Sequence, residues 1–211
     1  VMREVIRRNG IENGIIYLQV TRGVAPRDHP FPKDVAPALV MTAKRLSMAK
    51  AQKTAEAGVN VITVPDIRWT RRDIKSVSLL PNVLAKQEAK EKGAYEAFQI
   101  DEDGMVTEGS STNAWIVTQE GKVVTRPTSN SILAGITRAS LLRELKKHDI
   151  ELELRSFSKE ELNSAREVFL TSSTTYVMPV VKVDDKIIGN GHPGIVSQQL
   201  RAIYEKFMQD I

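Results

Sequence analysis

Apolar positions along the chain form short strand-like and helix-like patterns that follow one another irregularly. Runs such as Gly14–Thr21 are rich in β-branched residues and predict strands, whereas Leu141, Leu142 and Leu145 predict the core face of a helix over 137–147. This mixture predicts an α+β (mixed α/β) fold rather than a doubly wound sheet. The other predicted elements are helices at 2–8, 47–56, 82–92 (capped by Asn82, ended by Gly93) and 194–208, a short helix opened by a capping box at Ser158, and strands at 38–43, 59–64, 95–101, from 107, 114–117, 151–155, 168–171 and 180–183.

The stretch 64–82, VPDIRWTRRDIKSVSLLPN, is the first that suggests chemistry. It predicts a strand that carries Lys75 among apolar neighbours, with Arg68, Arg71 and Arg72 just before it. Burial and nearby like charges both lower the pKa of an ammonium group. A lysine in that setting can form Schiff bases or move protons. The alternative interpretation is a lysine on the solvated face of a half-buried strand.

Three polar clusters have the composition of a binding site. Glu108, in the run TEGSSTN at 107–113, could meet a cationic ring nitrogen, or the run could be an ordinary polar turn. The residues at 135–137, GIT, open a helix, where free amides and the Thr137 hydroxyl form an anion site or a plain threonine N-cap. The run TSSTT at 171–175 could close a second side of a phosphate or form a solvated loop.

A proline-rich loop at 22–32 carries Arg27 and His29 two positions apart. An arginine fork binds a carboxylate with two hydrogen bonds, and histidine can add another. The alternative is a surface loop with incidental charge. The three histidines are not spaced as metal ligands and there are no cysteines, so no metal site is predicted.

Composition narrows the class of partner. The chain of 211 residues is 41% hydrophobic and 27% charged, which is ordinary for a soluble globular protein. It contains no apolar run of about 18 residues and no signal-peptide pattern, so no membrane span is expected. The lack of cysteines is compatible with the cytoplasm, where we expect the protein. With a net charge of +4 and 5% aromatic residues, no nucleic-acid partner is expected, whereas small anionic ligands are compatible.

Taken together, five stretches resemble the class IV aminotransferases, the pyridoxal-phosphate enzymes of fold type IV, and most closely those that act on D-amino acids. The stretches occur in the family's order and cover nearly the whole chain. They are YLQVTRGVAPRDHPFP at 17–32, DIRWTRRDIKSVSLLPNVLAKQ at 66–87, VTEGSSTNAW at 106–115, ILAGITR at 132–138 and LTSSTT at 170–175.

The resemblance implies pyridoxal 5'-phosphate as the cofactor and gives the site residues their roles. Lys75 matches the lysine that holds the cofactor as a Schiff base and moves the proton at the substrate Cα. Glu108 matches the carboxylate that keeps the pyridine nitrogen protonated, and Arg68 matches an arginine near the phenolic oxygen. The remaining matches are Leu133 against the ring and Ile136, Thr137, Ser173 and Thr174 around the phosphate.

The resemblance also implies the substrates. Arg27 and His29 match the pair that binds the substrate carboxylate, in a loop that reaches the neighbouring subunit's site, so a homodimer is expected. The implied reaction converts D-alanine and 2-oxoglutarate to pyruvate and D-glutamate, as the Arg-Asp-His order at 27–29 favours. Branched-chain aminotransferase, (R)-amine transaminase, 4-amino-4-deoxychorismate lyase and a non-catalytic cofactor-binding scaffold remain alternatives.

We expect a domain boundary close to residue 48. Residues 1–48 would be a remnant of a small N-terminal α/β domain, and residues 49–211 a larger domain that binds the cofactor. Family members carry a further N-terminal portion, with a substrate-facing tyrosine and an arginine to the cofactor phosphate. A chain that lacks this portion is expected to bind the cofactor more weakly and to have impaired activity.

Overall fold

The computed structural model describes residues 1–209 and divides into two compact units, Val1–Gln52 and Lys53–Ile211. The first unit contains helix α1 and a hairpin of two antiparallel strands, β1 and β2. Gly10 ends α1 with φ 56°, a left-handed conformation that glycine adopts without steric cost. These elements are α1 (Met2–Asn9), β1 (Gly14–Thr21) and β2 (Ala38–Arg45).

The second unit contains most of the helices and strands. Helix α2 (Met48–Ala57) crosses the division between the units. The remaining helices are α3 (Leu80–Glu91), α4 (Ile136–Lys147), α5 (Lys159–Ser164) and α6 (Ile195–Gln209). The strands are β3 (Val59–Pro65), β4 (Glu96–Ile100), β5 (Val106–Gly109), β6 (Asn113–Val117), β7 (Val123–Thr125), β8 (Leu152–Leu154), β9 (Glu167–Ser172), β10 (Tyr176–Val183) and β11 (Lys186–Ile187).

One mixed sheet organises the second unit. Its strands lie in the order β5-β4-β3-β10-β9-β6-β7-β8, and β11 pairs with β10. The pairs β3–β4, β3–β10 and β7–β8 are parallel and the others antiparallel. Trp115 and Phe169 stack with ring centroids 5.4 Å apart in a core cluster that also contains Leu141 and Leu145. The predicted α+β class is confirmed.

The prediction of a strand around Lys75 is wrong. Strand β3 ends at Pro65, and residues 66–79 form a loop in which Lys75 is exposed. The Asp66 carboxylate accepts a hydrogen bond from the Arg68 amide at 3.2 Å, a local turn that competes with continued strand pairing. Apolar residues here do not face a core, since Val77 is 67% exposed.

Several element ends also differ from the prediction. Helix α3 begins at Leu80 with Pro81 in its first turn, so Asn82 lies inside the helix and is not its cap. The Asn82 side chain instead donates to the carbonyl of Ser110 at 2.8 Å. Strand β7 was not predicted, and β10 begins at Tyr176, earlier than expected. The capping box at Ser158 is confirmed. Within residues 1–209, no helix combines the length and apolar character needed to cross a bilayer.

Glu167, the first residue of β9, caps helix α6 from a distant position in the sequence. Its two carboxylate oxygens accept hydrogen bonds from the amides of Val196, at 2.9 Å, and Ser197, at 2.8 Å. Amides in the first turn of a helix have no acceptor within the helix, and a negative charge there also interacts favourably with the helix dipole. Gly194 permits the approach, because a Cβ at that position would collide with the Glu167 side chain.

We therefore expect Glu167→Gln to destabilise the second unit. The amide side chain loses the charge and turns one acceptor into a donor that faces a helix amide. The free energy of unfolding should fall by about 1–3 kcal/mol, measured by urea denaturation. The matched control is Glu102→Gln, an exposed carboxylate in a turn, which should change it by less than about 0.5 kcal/mol. Equal stability of the two variants would contradict this role of Glu167.

Candidate active site

Glu108, in strand β5, is the acceptor on which three segments converge. Its side chain is 6% exposed. The Arg68 guanidinium donates to its Oε1 at 2.5 Å, and the Asn113 side-chain amide donates to its Oε2 at 3.0 Å. The Leu133 backbone amide reaches both oxygens at 3.1 Å. Three donors therefore hold one buried carboxylate in a fixed orientation.

Arg68 is held in turn by a second buried carboxylate, that of Asp66. Its Nε donates to Asp66 Oδ1 at 2.9 Å and its Nη2 to Oδ2 at 2.7 Å, a bidentate pair. The Thr107 hydroxyl adds a hydrogen bond to Asp66 Oδ2 at 2.8 Å, and Arg72 Nε lies 3.4 Å from the same oxygen. The side chain of Asp66 is 0% exposed. Arg68 thus bridges Asp66 and Glu108.

The two carboxylates respond differently to the same arginine. Burial raises the pKa of Glu108 above its usual value, and the charge and hydrogen bond of Arg68 offset this only in part. Burial also acts to raise the pKa of Asp66, but the bidentate hydrogen bonds and charge of Arg68 outweigh it, so that pKa is lowered. Burial lowers the pKa of the neighbouring Arg138, which interacts electrostatically with Glu108.

The N-terminus of α4 has the features of an anion site. The N-cap residue is Gly135, and no described side chain makes a capping hydrogen bond at this helix terminus. The alternative of an ordinary threonine N-cap is therefore wrong. The first amides of the helix therefore lack intrahelical acceptors. Thr137 is 2% exposed, and its hydroxyl has no hydrogen-bond partner within residues 1–209. A buried hydroxyl without a partner is costly, and a ligand oxygen would satisfy it.

Asn113 joins this helix terminus to Glu108 and to the sheet. Its side-chain amide donates to Glu108 and also to the carbonyl of Leu133, at 3.0 Å each. Gly135 must be glycine here, because a Cβ would collide with the Asn113 side-chain oxygen. Asn113 pairs with Thr171 of β9, and that strand leads into the turn at 173–175. Three predicted polar clusters are therefore brought together around Asn113.

The turn after β9 contains the predicted Ser173 and Thr174, both exposed. The Ser172 hydroxyl lies 3.2 Å from the hydroxyl of Thr174 and 2.8 Å from that of Thr175. These hydrogen bonds order a turn whose outer hydroxyls remain accessible to a ligand.

The position of Lys75 leaves its amine accessible. Lys75 is exposed, and it makes no hydrogen bond or ion pair with any residue of the described range 1–209. Its loop is fixed at one point by the Arg72 amide, which donates to the carbonyl of Asn130 at 3.0 Å. Arg27 and His29 lie in the first unit, in the loop between β1 and β2, and both are exposed.

Sequence reasoning missed Asp66, Asn113 and Glu96 as residues of the site. Glu96 is fully buried and accepts hydrogen bonds from the hydroxyls of Ser110 and Ser111, so it supports the turn that follows Glu108. The spacing Asp-x-Arg in the loop after β3 was the available signal for Asp66. Nothing in the sequence distinguished Asn113 from its polar neighbours.

The donor set suits one kind of ligand. Helix amides and the Thr137 hydroxyl can hold a phosphate, the Glu108 carboxylate can hold a protonated ring nitrogen, and the Lys75 amine can react with a carbonyl group. These three features together fit a phosphorylated pyridine aldehyde such as pyridoxal 5'-phosphate.

Comparison with known proteins agrees with this chemistry. A family model described as amino-transferase class IV matches residues 1–183. The chain is 42% identical over 210 residues to a protein named D-alanine aminotransferase from Staphylococcus haemolyticus, and 40% identical over 200 residues to one from Bacillus licheniformis. These alignments cover 99% and 95% of the chain, and 73% and 69% of the respective relatives.

The fold agrees as well. A branched-chain amino acid aminotransferase from T.th., solved with pyridoxamine 5'-phosphate, superposes with a TM-score of 0.85 at 30% identity. The match covers 97% of this chain and 68% of that structure. The family match, the curated relatives and the shared fold together show that the chain belongs to the class IV aminotransferases.

Proposed function

We propose that the protein transfers the amino group of D-alanine, or a related D-amino acid, to 2-oxoglutarate, and so forms pyruvate and D-glutamate. The observation that carries the proposal is the buried Glu108 carboxylate, held by three donors beside a helix terminus with an unpaired threonine hydroxyl. The curated relatives named D-alanine aminotransferase support the choice of substrate. The proposed cofactor is pyridoxal 5'-phosphate.

The cofactor would be held at both ends by the residues that the motifs indicate. Its phosphate would bind at Ile136 and Thr137, where α4 begins, and at Ser173 and Thr174 in the turn after β9. Glu108 would hold the proton on the ring nitrogen, and Lys75 would hold the reactive end. Arg68 and Leu133 would line the ring.

The chemistry divides between the cofactor and the chain. Bound pyridoxal 5'-phosphate supplies a carbonyl for the amino group and a ring that draws electrons from the substrate Cα. The Lys75 amine would move the proton from the Cα of D-alanine to the cofactor, and in the second half of the reaction would return a proton from the cofactor to the Cα of D-glutamate. The Glu108 carboxylate would lie beside the ring nitrogen and favour its protonated form, because an opposite charge nearby favours the cation. Arg27 and His29 bind the substrate carboxylate and orient the Cα–H bond.

Homodimerisation is part of the proposal. In the family the loop that matches 22–32 serves the neighbouring subunit's site, and apolar side chains at Val77, Leu80 and Val83 are 67%, 69% and 57% exposed. Apolar surface of this kind is typical of a covered interface.

The first test is turnover with the purified protein and added cofactor. D-alanine and 2-oxoglutarate should give pyruvate and D-glutamate, and Lys75→Ala should lower the rate by at least about 100-fold, because proton transfer by the amine is lost. The matched control is Lys92→Ala, an exposed lysine in the same unit, with a rate within about twofold of wild type.

Other outcomes of this experiment would contradict the proposal in distinct ways. Preferred use of L-leucine would indicate a branched-chain aminotransferase, which the structural match keeps as the second candidate. Preferred use of (R)-1-phenylethylamine would indicate an (R)-amine transaminase. Release of pyruvate from 4-amino-4-deoxychorismate would indicate a 4-amino-4-deoxychorismate lyase. Cofactor binding without any turnover would indicate a scaffold.

The second test concerns the substrate carboxylate. Arg27→Ala should raise the KM for D-alanine by about 10–100-fold, because a charged hydrogen bond contributes roughly 1.5–3 kcal/mol and each 1.4 kcal/mol is tenfold. Cofactor affinity should be unchanged. Lys33→Ala, an exposed cation in the same loop, is the control and should leave KM unchanged. A loss of cofactor affinity with normal KM would contradict the assignment.

Mixing the Lys75→Ala and Arg27→Ala variants, assayed at a D-alanine concentration well below the KM of Arg27→Ala so that each alone has little activity, tests whether Arg27 serves the partner subunit. A dimer of one Lys75→Ala and one Arg27→Ala subunit would have one intact site if the loop crosses the interface. Random reassembly should then restore about a quarter of wild-type activity. No restoration would mean that Arg27 acts within its own subunit or that the protein does not dimerise.

A further inference from the structure

Asp66 is not one of the proposed cofactor-binding residues, but it is connected to one of them, Glu108, by hydrogen bonds through Arg68. Its carboxylate holds the Arg68 guanidinium by two hydrogen bonds, and the remaining nitrogen of that guanidinium, Nη1, donates to Glu108. The Thr107 hydroxyl donates to Asp66 Oδ2, the same oxygen that Arg68 Nη2 contacts. The order Asp66–Arg68–Glu108 is therefore a chain of charged hydrogen bonds within a buried region.

We propose that Asp66 is a positioning residue that shares the charge of Arg68, so that Glu108 retains the negative charge needed to hold a proton on the ring nitrogen of the cofactor. This inference rests on the proposed function. Without Asp66, Arg68 would pair with Glu108 alone, and an arginine paired with a single carboxylate neutralises it more fully. The proton on a ring nitrogen beside Glu108 would then be held less strongly.

The surrounding charges make the effect of one carboxylate large. Glu108 is faced by Arg68 and, electrostatically, by Arg138, while Arg72 approaches Asp66. Asp66 and Glu108 thus stand among three arginines. Removing one of the two negative charges from this buried cluster makes its net charge more positive by one elementary charge. Interactions of this kind move a pKa by about 1–3 units.

The chain contains a matched control pair. Arg71 donates to Asp73 through Nε and Nη2, each at 2.9 Å, the same bidentate arrangement that Arg68 makes with Asp66. That pair is on the surface, with the Arg71 side chain 49% exposed. Asp73→Asn therefore removes an equivalent hydrogen-bonded charge from the same loop without touching the bridge to Glu108.

The test compares two probes, pyridoxal 5'-phosphate and its 1-deaza analogue, in which a C–H group replaces the ring nitrogen. The measured quantity is the dissociation constant of the analogue divided by that of pyridoxal 5'-phosphate. This ratio isolates the contribution of the ring nitrogen to binding, because the two probes share every other contact. Asp66→Asn should lower this ratio by about tenfold, which corresponds to one pKa unit. Asp73→Asn should change it by less than about twofold.

A spectroscopic measurement reports the protonation of the ring nitrogen directly and does not depend on turnover. With ¹⁵N-labelled cofactor, the chemical shift of the ring nitrogen reports its protonation. The pH midpoint should fall by about one unit in Asp66→Asn and stay at the wild-type value in Asp73→Asn. A purely structural role for Asp66 would weaken the binding of both probes equally and leave this midpoint unchanged, which would overturn the proposal.

A double variant keeps the test decisive if Asp66→Asn folds poorly. Replacing both partners of a buried pair is better tolerated than replacing one. In the Arg68→Gln background, adding Asp66→Asn should leave the ratio unchanged, because Asp66 acts through Arg68. A fall in the ratio on adding Asp66→Asn to that background would overturn the proposal. A wild-type protein that binds both probes equally, or neither, would instead refute the proposed function on which it rests.

Discussion

The bridge that Arg68 makes between two buried carboxylates is the interaction on which the site depends. Asp66 and Glu108 come from separate segments, and their side chains are 0% and 6% exposed. Charges buried to this extent require a partner with excellent geometry. A guanidinium can bind both carboxylates at once because it presents five donors in a rigid plane, whereas an ammonium could not reproduce the arrangement. The bridge also fixes the loop after β3 against β5.

A second convergence of contacts occurs at Asn113, where one side chain organises three segments. Its amide group donates to Glu108 and to the Leu133 carbonyl, and its oxygen lies against Gly135. Its backbone pairs with Thr171 in the β6–β9 ladder. The strand register therefore determines where the first turn of α4 and the turn after β9 stand relative to Glu108. Because a one-residue slip would turn Asn113 to the other face of the sheet, register and site geometry are coupled.

Local patterns predicted most elements and the mixed α and β class, because helix faces, capping boxes and β-branched runs are properties of neighbouring residues. They failed where a distant partner decides the outcome. The loop around Lys75 has the composition of a strand, yet Asp66 forms a local turn with Arg68 and a long-range bond to Thr107. Asn82 has the composition of a cap, yet it donates to Ser110. Glu108 was identified by its motif, but the pattern did not indicate that its donors are Asn113, at the end of the same run, and the Leu133 amide, in another segment.

The opposite pKa shifts of Asp66 and Glu108 explain why the site suits a cationic ring. Arg68 gives Asp66 two hydrogen bonds and Glu108 one, and only for Asp66 does this outweigh burial. Glu108 is left with an uncompensated cost of burial in its ionised form. A further cation beside it would reduce that cost, because an opposite charge favours ionisation. A protonated pyridine nitrogen is such a cation, so binding of the proposed cofactor beside Glu108 would offset the residual cost of burying that carboxylate.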